Sequence, residues 1–462
     1  MQASPVARPF PALPFGANVA SMPSAARPTA IRGPALTFTG DPFSDGVERT
    51  LVHEPDAIVA MQDGRITQFG PAARVAPQLP DGTEIRDFGR DALISAGFID
   101  THVHFPQMPM IASHGAQLLD WLERYTFPAE LKLADRTYAR RLARAFLQEN
   151  LRNGITTSCV YCSVHAHSAD ILFEEAEALG LRLAAGKVLM DRHAPDGLRD
   201  SAQSGYDDSL ALIRKWHGRG RLLYAITPRF APTSSAEQLA AAGALWRDHP
   251  DCLMQTHIAE TEAEVAWVRE LFPGRRNYLD VYDHHGLCGR GAVFGHGIWL
   301  GDDELQRLHA ADAAIAHCPT SNFFLGSGVF DIGRARREDR PVRVGIGTDV
   351  GAGTSFSILQ TLNEAYKASQ LSHHPLSAAH AWYLATRGSA TALHLEDKVG
   401  SIAPGMEADL VVLDMRSTPL IAFRMDEARD FAERLFIQMI LGDDRAVRAT
   451  YVAGRLVHGG ST

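Results

Sequence analysis

Eight short apolar runs, each followed by text of helical periodicity, constrain this 462-residue chain more than any other feature. The runs occupy residues 92–104, 154–162, 182–190, 221–230, 252–260, 291–300, 313–319 and 342–350. They are rich in β-branched residues and almost continuously hydrophobic, as strands covered on both faces must be, which is how parallel sheets read. Between them, stretches such as 135–154, 169–180 and 236–249 carry apolar residues at helical spacing. Eight strand-helix units predict an α/β fold, a closed (β/α)₈ barrel of the TIM type rather than an open sheet. Length alone would suggest two or three domains, but a barrel with insertions absorbs most of it.

Polar residues mark the C-terminal ends of these runs in chain order: His104, His165, Asp191, Arg229, His257, His296, His317 and Asp349. That end of a barrel strand is the mouth where active sites sit. Packing alone does not place histidine, arginine and aspartate there so repeatedly.

The flanks read differently. Residues 57–70, 408–414 and 447–460 are strand-like pieces punctuated by Gly and Asp-Gly, which predicts one small β-sandwich built from both chain ends. A helical stretch, 376–395, bridges to it. The expected division is a leader over 1–32, sandwich over 33–91, barrel over 92–395 and sandwich again over 396–462. The leader holds Arg8, Arg27 and Arg32 and no acid before Asp41, a trace of transit-peptide character. Its prolines oppose an amphipathic helix, so a disordered leader or an upstream start codon is expected.

A net charge of −9 argues against nucleic acid or an anionic membrane as partner. No stretch reaches the about 20 apolar residues of a transmembrane helix. Five scattered cysteines (Cys159, Cys162, Cys252, Cys288, Cys318) do not make a disulfide framework, which predicts a reducing compartment, the cytoplasm.

His102 and His104 lie two apart on the first barrel strand, so both imidazoles face the same side, into the barrel. His165 and His167 repeat that spacing at the end of the second strand, so the motif alone does not decide which pair binds an ion. Company does. His257 ends the fifth run, His296 lies in the sixth, and Asp349 closes the eighth. His102, His104, His257 and Asp349 together offer three imidazoles and a carboxylate, a set that suits Zn²⁺ and leaves room for a water; Fe²⁺ also accepts it. Such an ion brings its water to a pKa of about 7. Glu260, three residues after His257, is placed to carry a proton from the water to a ring nitrogen and then to a leaving amine. His296 and Asp349 would orient and deprotonate the water. The competing reading of Glu260 is a carboxylate that starts the next helix.

These residues resemble the amidohydrolase superfamily, and within its metal-dependent deaminase branch they are similar to the guanine deaminases over nearly the whole chain after the leader. The motifs are GFIDTHVHFPQ (97–107), LLDWLERYTFPAE (118–130), TPRFAPTSS (227–235), QTHIAE (255–260), AHCPTSN (316–322) and GIGTDVGAG (345–353). The second and third are the specific ones. The resemblance implies one zinc per subunit on His102, His104, His257 and Asp349, with Glu260 and Asp349 handling protons and His296 near the water. It implies that Gln107 and Arg229 hydrogen-bond the guanine edge, that Trp121, Leu122 and Phe230 wall the planar ring, and that the protein is a homodimer. The chemistry agrees: Arg and Gln suit acceptors on a purine edge, and aromatic walls suit a flat base. One departure is Ala96, where the family commonly has proline; it touches the entry to the strand.

Rival readings fare less well. Cys159 and Cys162 form a C-x-x-C, but Ser158 precedes it and the only H-x-E, His394 to Glu396, lies downstream, the wrong order for the small zinc deaminases. A binuclear relative would need a lysine on strand four, where this chain has Arg229. Deaminases or hydrolases of cytosine, pterins or aminotriazines share the metal set, and differ at Trp121 to Glu130 and at Arg229-Phe230. A catalytically dead barrel scaffold would be expected to have lost ligands; none is missing here.

Overall fold

A computed structural model describes residues 28–115 and 117–459. Five strands come first: β1 (Thr29–Phe38), β2 (Leu51–Gln62), β3 (Arg65–Pro71), β4 (Glu84–Asp87) and β5 (Ala92–Ala96). The next are β6 (Phe98–His104), β7 (Ile155–Tyr161), β8 (Arg182–Gly186) with its short continuation β9 (Val188–Leu189), and β10 (Leu222–Pro228). Then follow β11 (Leu253–Ile258), β12 (Ala292–His296), β13 (Ala314–His317) and β14 (Arg343–Ile346). The last three are β15 (Leu410–Asp414), β16 (Val447–Val452) and β17 (Arg455–His458).

The expected barrel is there. β6, β7, β8, β10, β11, β12, β13 and β14 are neighbours in that order, all parallel. The segment after β14 returns to β6 and closes the ring: the Asp349 N–H donates to the His102 carbonyl at 2.8 Å, and the His104 N–H to the Val350 carbonyl at 2.8 Å. Small inward residues fill the interior, among them Ile99, Cys159, Ala184, Ala225, Val293 and Ala314, with Ala390 and Leu393 packed on them. A filled interior is what limits an eight-stranded barrel to a site at its rim.

Amphipathic helices cover the outside. Over Arg136–Arg152, Ala139, Leu142, Ala143, Phe146 and Leu147 are buried at helical spacing, and the Asp135 side chain caps the N-terminus by accepting from Thr137 N and Tyr138 N.

The chain ends build a single mixed sheet in the order β17-β16-β15-β5-β1-β2-β3, with β4 beside β1. Alternation assigns its faces: Ala57, Val59 and Met61 of β2 share one core with Ala92 and Ile94 of β5 and Leu410 and Val412 of β15. Their neighbours Leu93, Val411 and Leu413 turn instead toward the barrel core. Asp63-Gly64 and Ala453-Gly454 join β2 to β3 and β16 to β17, each with positive φ at both residues, the two-residue hairpin that right-twisted strands favour. Buried ion pairs fasten sheet to barrel: Arg182 and Arg221 both meet Glu407, and Arg221 also meets Asp409.

The first apolar run is two strands, not one. Residues 92–96 form β5 in the mixed sheet, antiparallel to β15, and only Phe98 onward joins the barrel. A run buried on both faces looks the same whichever sheet buries it, so periodicity could not find the break. Of the expected leader, residues 1–27 lie outside the described residues, whereas Thr29 to Arg32 belong to β1. Among the described residues, no helix is long and apolar enough to cross a membrane.

Candidate active site

On β6 the residues Asp100, His102 and His104 share one face. The Asp100 carboxylate accepts from the backbone N–H of His102 (3.2 Å) and of Thr348 (3.0 Å), and from the Thr348 hydroxyl. It thereby ties the first strand to the segment carrying Asp349. Burial pushes Asp100 up to about 7. Gly295 and Gly347 let the His102 ring in: a Cβ on Gly295 would stand 2.5 Å from His102 Cε1, and one on Gly347 2.8 Å from His102 Cβ. His296 and Asp349 hold left-handed φ values of 69° and 49°. Such conformations cost non-glycine residues of order 1–3 kcal/mol and gather at functional sites.

His102, His104, His257 and Asp349 come together as a group able to hold a metal ion. One ligand atom from each lies within 4.8 Å of all the others, and all four residues are buried. His104 Nε2 and His257 Nε2 are 3.0 Å apart, and the Nε2 atoms of His102 and His104 each lie 3.4 Å from Asp349 Oδ1. His257 Nδ1 sits 2.7 Å from the Arg229 carbonyl, which only accepts, so Nδ1 carries the proton and Nε2 keeps its lone pair for an ion. His102 Nε2 is buried without a hydrogen-bond partner among the described residues. Burial holds His102, His104 and His257 below the ordinary imidazole value. Burial would raise Asp349, but its contact with His102 and the other imidazoles bring it down to about 2. Neutral imidazoles converging on a carboxylate are the protonation state a divalent cation requires. The donor set fits.

Beside this group, Glu260 Oε2 is 3.4 Å from His296 Nε2, and Glu260 Oε1 accepts from the Ser327 hydroxyl at 3.0 Å. Burial raises the Glu260 carboxyl to about 7. His296 Nδ1 is 2.9 Å from Asn322 Oδ1, which turns Nε2 toward Glu260 and Asp349. For His296, burial is outweighed by those two carboxylates and the net shift is upward. The helix-start reading of Glu260 fails for a specific reason. Thr261 and Glu264 form the capping box of the next helix, and Glu264 accepts from the Glu260 N–H, so Glu260 is left to the pocket.

A small cavity opens over the metal group. Gln107, Trp121, Leu122, Arg229, Phe230 and Glu260 all line it, joined by Leu118 and Ala352. Trp121, only 1% exposed, donates its indole N–H to the Ser113 carbonyl at 3.2 Å. Arg229 Nη1 donates to both oxygens of Glu130, at 2.8 and 3.0 Å, and Gln107 Nε2 donates to Glu130 Oε1 at 3.2 Å. Glu130, Asn322, Ser327 and Tyr161, none of them singled out by the sequence, also touch the candidate site residues. The first two stood inside motifs already singled out, YTFPAE and AHCPTSN. Tyr161 packs its ring within 4.5–4.7 Å of the rings of His102, His104 and His257.

The second histidine pair belongs elsewhere. β7 ends at Tyr161, so His165 and His167 fall on the turn into the helix Ala166–Leu179, where a spacing of two no longer means one face. His167 Nε2 is 2.7 Å from the Leu133 carbonyl. Asp191 accepts from the Ser235 backbone N–H and fixes the start of the helix Ala236–Asp248. Cys159 lies in the barrel interior and Cys162, just past the end of β7, in the outer core, and both thiols are free.

His317 is buried against Phe330 outside the cavity. Burial, reinforced by His296, pushes its pKa down to about 3. The unfolded chain takes up a proton near pH 6.5 that the native state refuses, so this group's stability is complete above about pH 6.5 and lost as pH falls toward 3. Between pH 7 and pH 5 the loss is on the order of 2 kcal/mol. Denaturant midpoints of wild type and His317→Asn at the two pH values should therefore diverge; equal losses would show that His317 is not responsible.

Eight parallel strands with three imidazoles and a carboxylate at their C-terminal rim define a (β/α)₈ barrel of the metal-dependent kind, with a small cavity over that group. The chain belongs to the amidohydrolase family, which matches residues 93–457. It is 48% identical over 403 residues to the guanine deaminase of Escherichia coli strain K12, covering 87% of this chain and 91% of that protein. The solved structure of E. coli guanine deaminase superimposes with a TM-score of 0.90 at 45% identity, over 94% of this chain and 100% of that one. A C. acetobutylicum guanine deaminase, solved with guanine bound in its active site, matches with a TM-score of 0.83 at 28% identity, over 94% and 100% of the two chains.

Proposed function

We propose that this protein is a guanine deaminase, converting guanine and water to xanthine and ammonia. The observation that carries the reading is the pairing of Arg229 and Gln107 on one buried carboxylate, in an aromatic slot directly beside the metal group. Trp121, Leu122 and Phe230 wall the flat ring, while Arg229 and Gln107 grip its polar edge. That edge contact leaves the C2 amine toward His257, Glu260 and Asp349.

His102, His104, His257 and Asp349 would hold a divalent ion, zinc or alternatively iron(II), which would supply the Lewis acidity that activates a water near neutral pH. His296 and Asp349 orient that water and draw on its proton. Glu260 receives the proton and delivers it to the adjacent ring nitrogen as the oxygen joins C2. The second proton, from the hydroxyl now on C2, passes by way of Asp349 and Glu260 to the amine, the C2–N bond breaks, and ammonia leaves. A carboxyl raised to about 7 can both take and give a proton at neutral pH. One ion per subunit, a homodimer, a cytoplasmic location and a place in guanine catabolism complete the proposal.

Ammonia release from a panel of guanine, cytosine, adenine, a pterin and an aminotriazine tests it. Guanine should be turned over far faster than the rest; preference for any other ring would replace this reading. Arg229→Ala should lower kcat/KM for guanine at least about a hundredfold, since a site built to hydrogen-bond its substrate depends on those bonds. It should also destabilise the fold by about 3–5 kcal/mol, because Glu130 is left buried and unpaired. Unchanged kinetics with guanine would argue for another substrate.

A further inference from the structure

We propose that Glu130 is a positioning residue that cancels the charge of Arg229, so that the pocket accepts a neutral purine and rejects an anionic one; this rests on the guanine reading. The geometry is specific. Glu130 is fully buried and its carboxylate takes both hydrogen bonds from a single nitrogen, Arg229 Nη1. Both bonds to Glu130 use Nη1, which leaves Nε and Nη2 as further donors on a residue that lines the cavity. Gln107 is held by the same carboxylate through Nε2, while its Oε1 lies 3.4 Å from the Gly351 N–H. One buried side chain therefore fixes both edge-binding groups. Glu130 itself does not line the cavity.

The charge balance follows. Arg229 is 4% exposed, and it lines the same cavity as His104, His257 and Asp349. In so dry a site an uncompensated guanidinium would attract any anion. Guanine is neutral near pH 7, whereas its deaminated product gains a second carbonyl flanking a ring N–H and is the more acidic of the two. With Glu130 in place, the recognition patch offers directed N–H groups without net charge. Neutral guanine binds, and the product is disfavoured once it ionises. A purely structural Glu130 would hold the fold together but would not make inhibition depend on the ionisation of the product.

The test is inhibition by xanthine of ammonia release from guanine, between about pH 6 and pH 9. In the metal-loaded wild type, xanthine should inhibit less as it ionises with rising pH. In Glu130→Gln, which keeps size but removes charge, that trend should reverse, with xanthine at the alkaline end binding about tenfold more tightly than in wild type. KM for guanine should rise about tenfold or more in the variant, with a smaller change in kcat. Unaltered pH dependence in a folded, metal-loaded variant overturns the role of Glu130 while leaving guanine as substrate. If the variant does not fold, the wild-type trend decides alone: inhibition that strengthens as xanthine ionises overturns the proposal. Failure of the wild type to act on guanine at all would instead overturn the functional reading beneath it.

Discussion

His257→Ala is expected to lose its metal and its activity together. His257 contributes one of only three imidazoles to the group, and its Nε2 stands 3.0 Å from that of His104. Its removal leaves two imidazoles and a carboxylate, and it also strips the Arg229 carbonyl of its 2.7 Å partner on Nδ1. Without the ion there is no activated water near neutral pH, a contribution of several kcal/mol, so turnover should fall at least about a thousandfold. Metal analysis of the purified variant, with its circular dichroism as a folding control, checks this. A folded variant that still carries one ion per chain and turns over normally would remove His257 from the ligand set.

Glu260→Gln separates proton transfer from metal binding. Glu260 lies outside the ligand group, and glutamine can still accept the Ser327 hydroxyl through its amide oxygen. Metal content should be unchanged. The amide, however, can neither take a proton from water nor give one to the leaving amine. General acid–base catalysis of this kind is worth about 10²–10⁴, and kcat should fall by that factor while KM moves little. Near-normal turnover would assign the shuttle to another group, of which His296, 3.4 Å away, is the first to test.

Much of this architecture was readable in advance. The eight-run rhythm gave the barrel, and the strand-end polar residues located its rim; five of the eight, His104, Arg229, His257, His296 and Asp349, line the cavity. The other three, His165, Asp191 and His317, stand at strand ends for local reasons: a helix entry, a helix start and a packed core. Strand-end position marks the rim without marking the centre. The boundary at Gly97 was invisible because residues on either side of it are equally buried, in different sheets.

The sequence by itself brought His102, His104, His257 and Asp349 to one rim of the barrel. Spacing of two on a strand aims His102 and His104 one way, and parallel strands deliver His257 and Asp349 to the same rim, so covalent order and strand period suffice. Only the tertiary structure decided what surrounds it. Glu130 meets Arg229 across 99 residues and Gln107 across 23. Ser327 reaches Glu260 across 67 residues, and Asn322 reaches His296 across 26. These contacts join short helices, loops and strand ends whose meeting depends on how the barrel closes and its helices pack, which no local pattern encodes. That is also why the ion's ligands are legible one by one, while the charge balance of the pocket appears only when Arg229 and Glu130 are seen together.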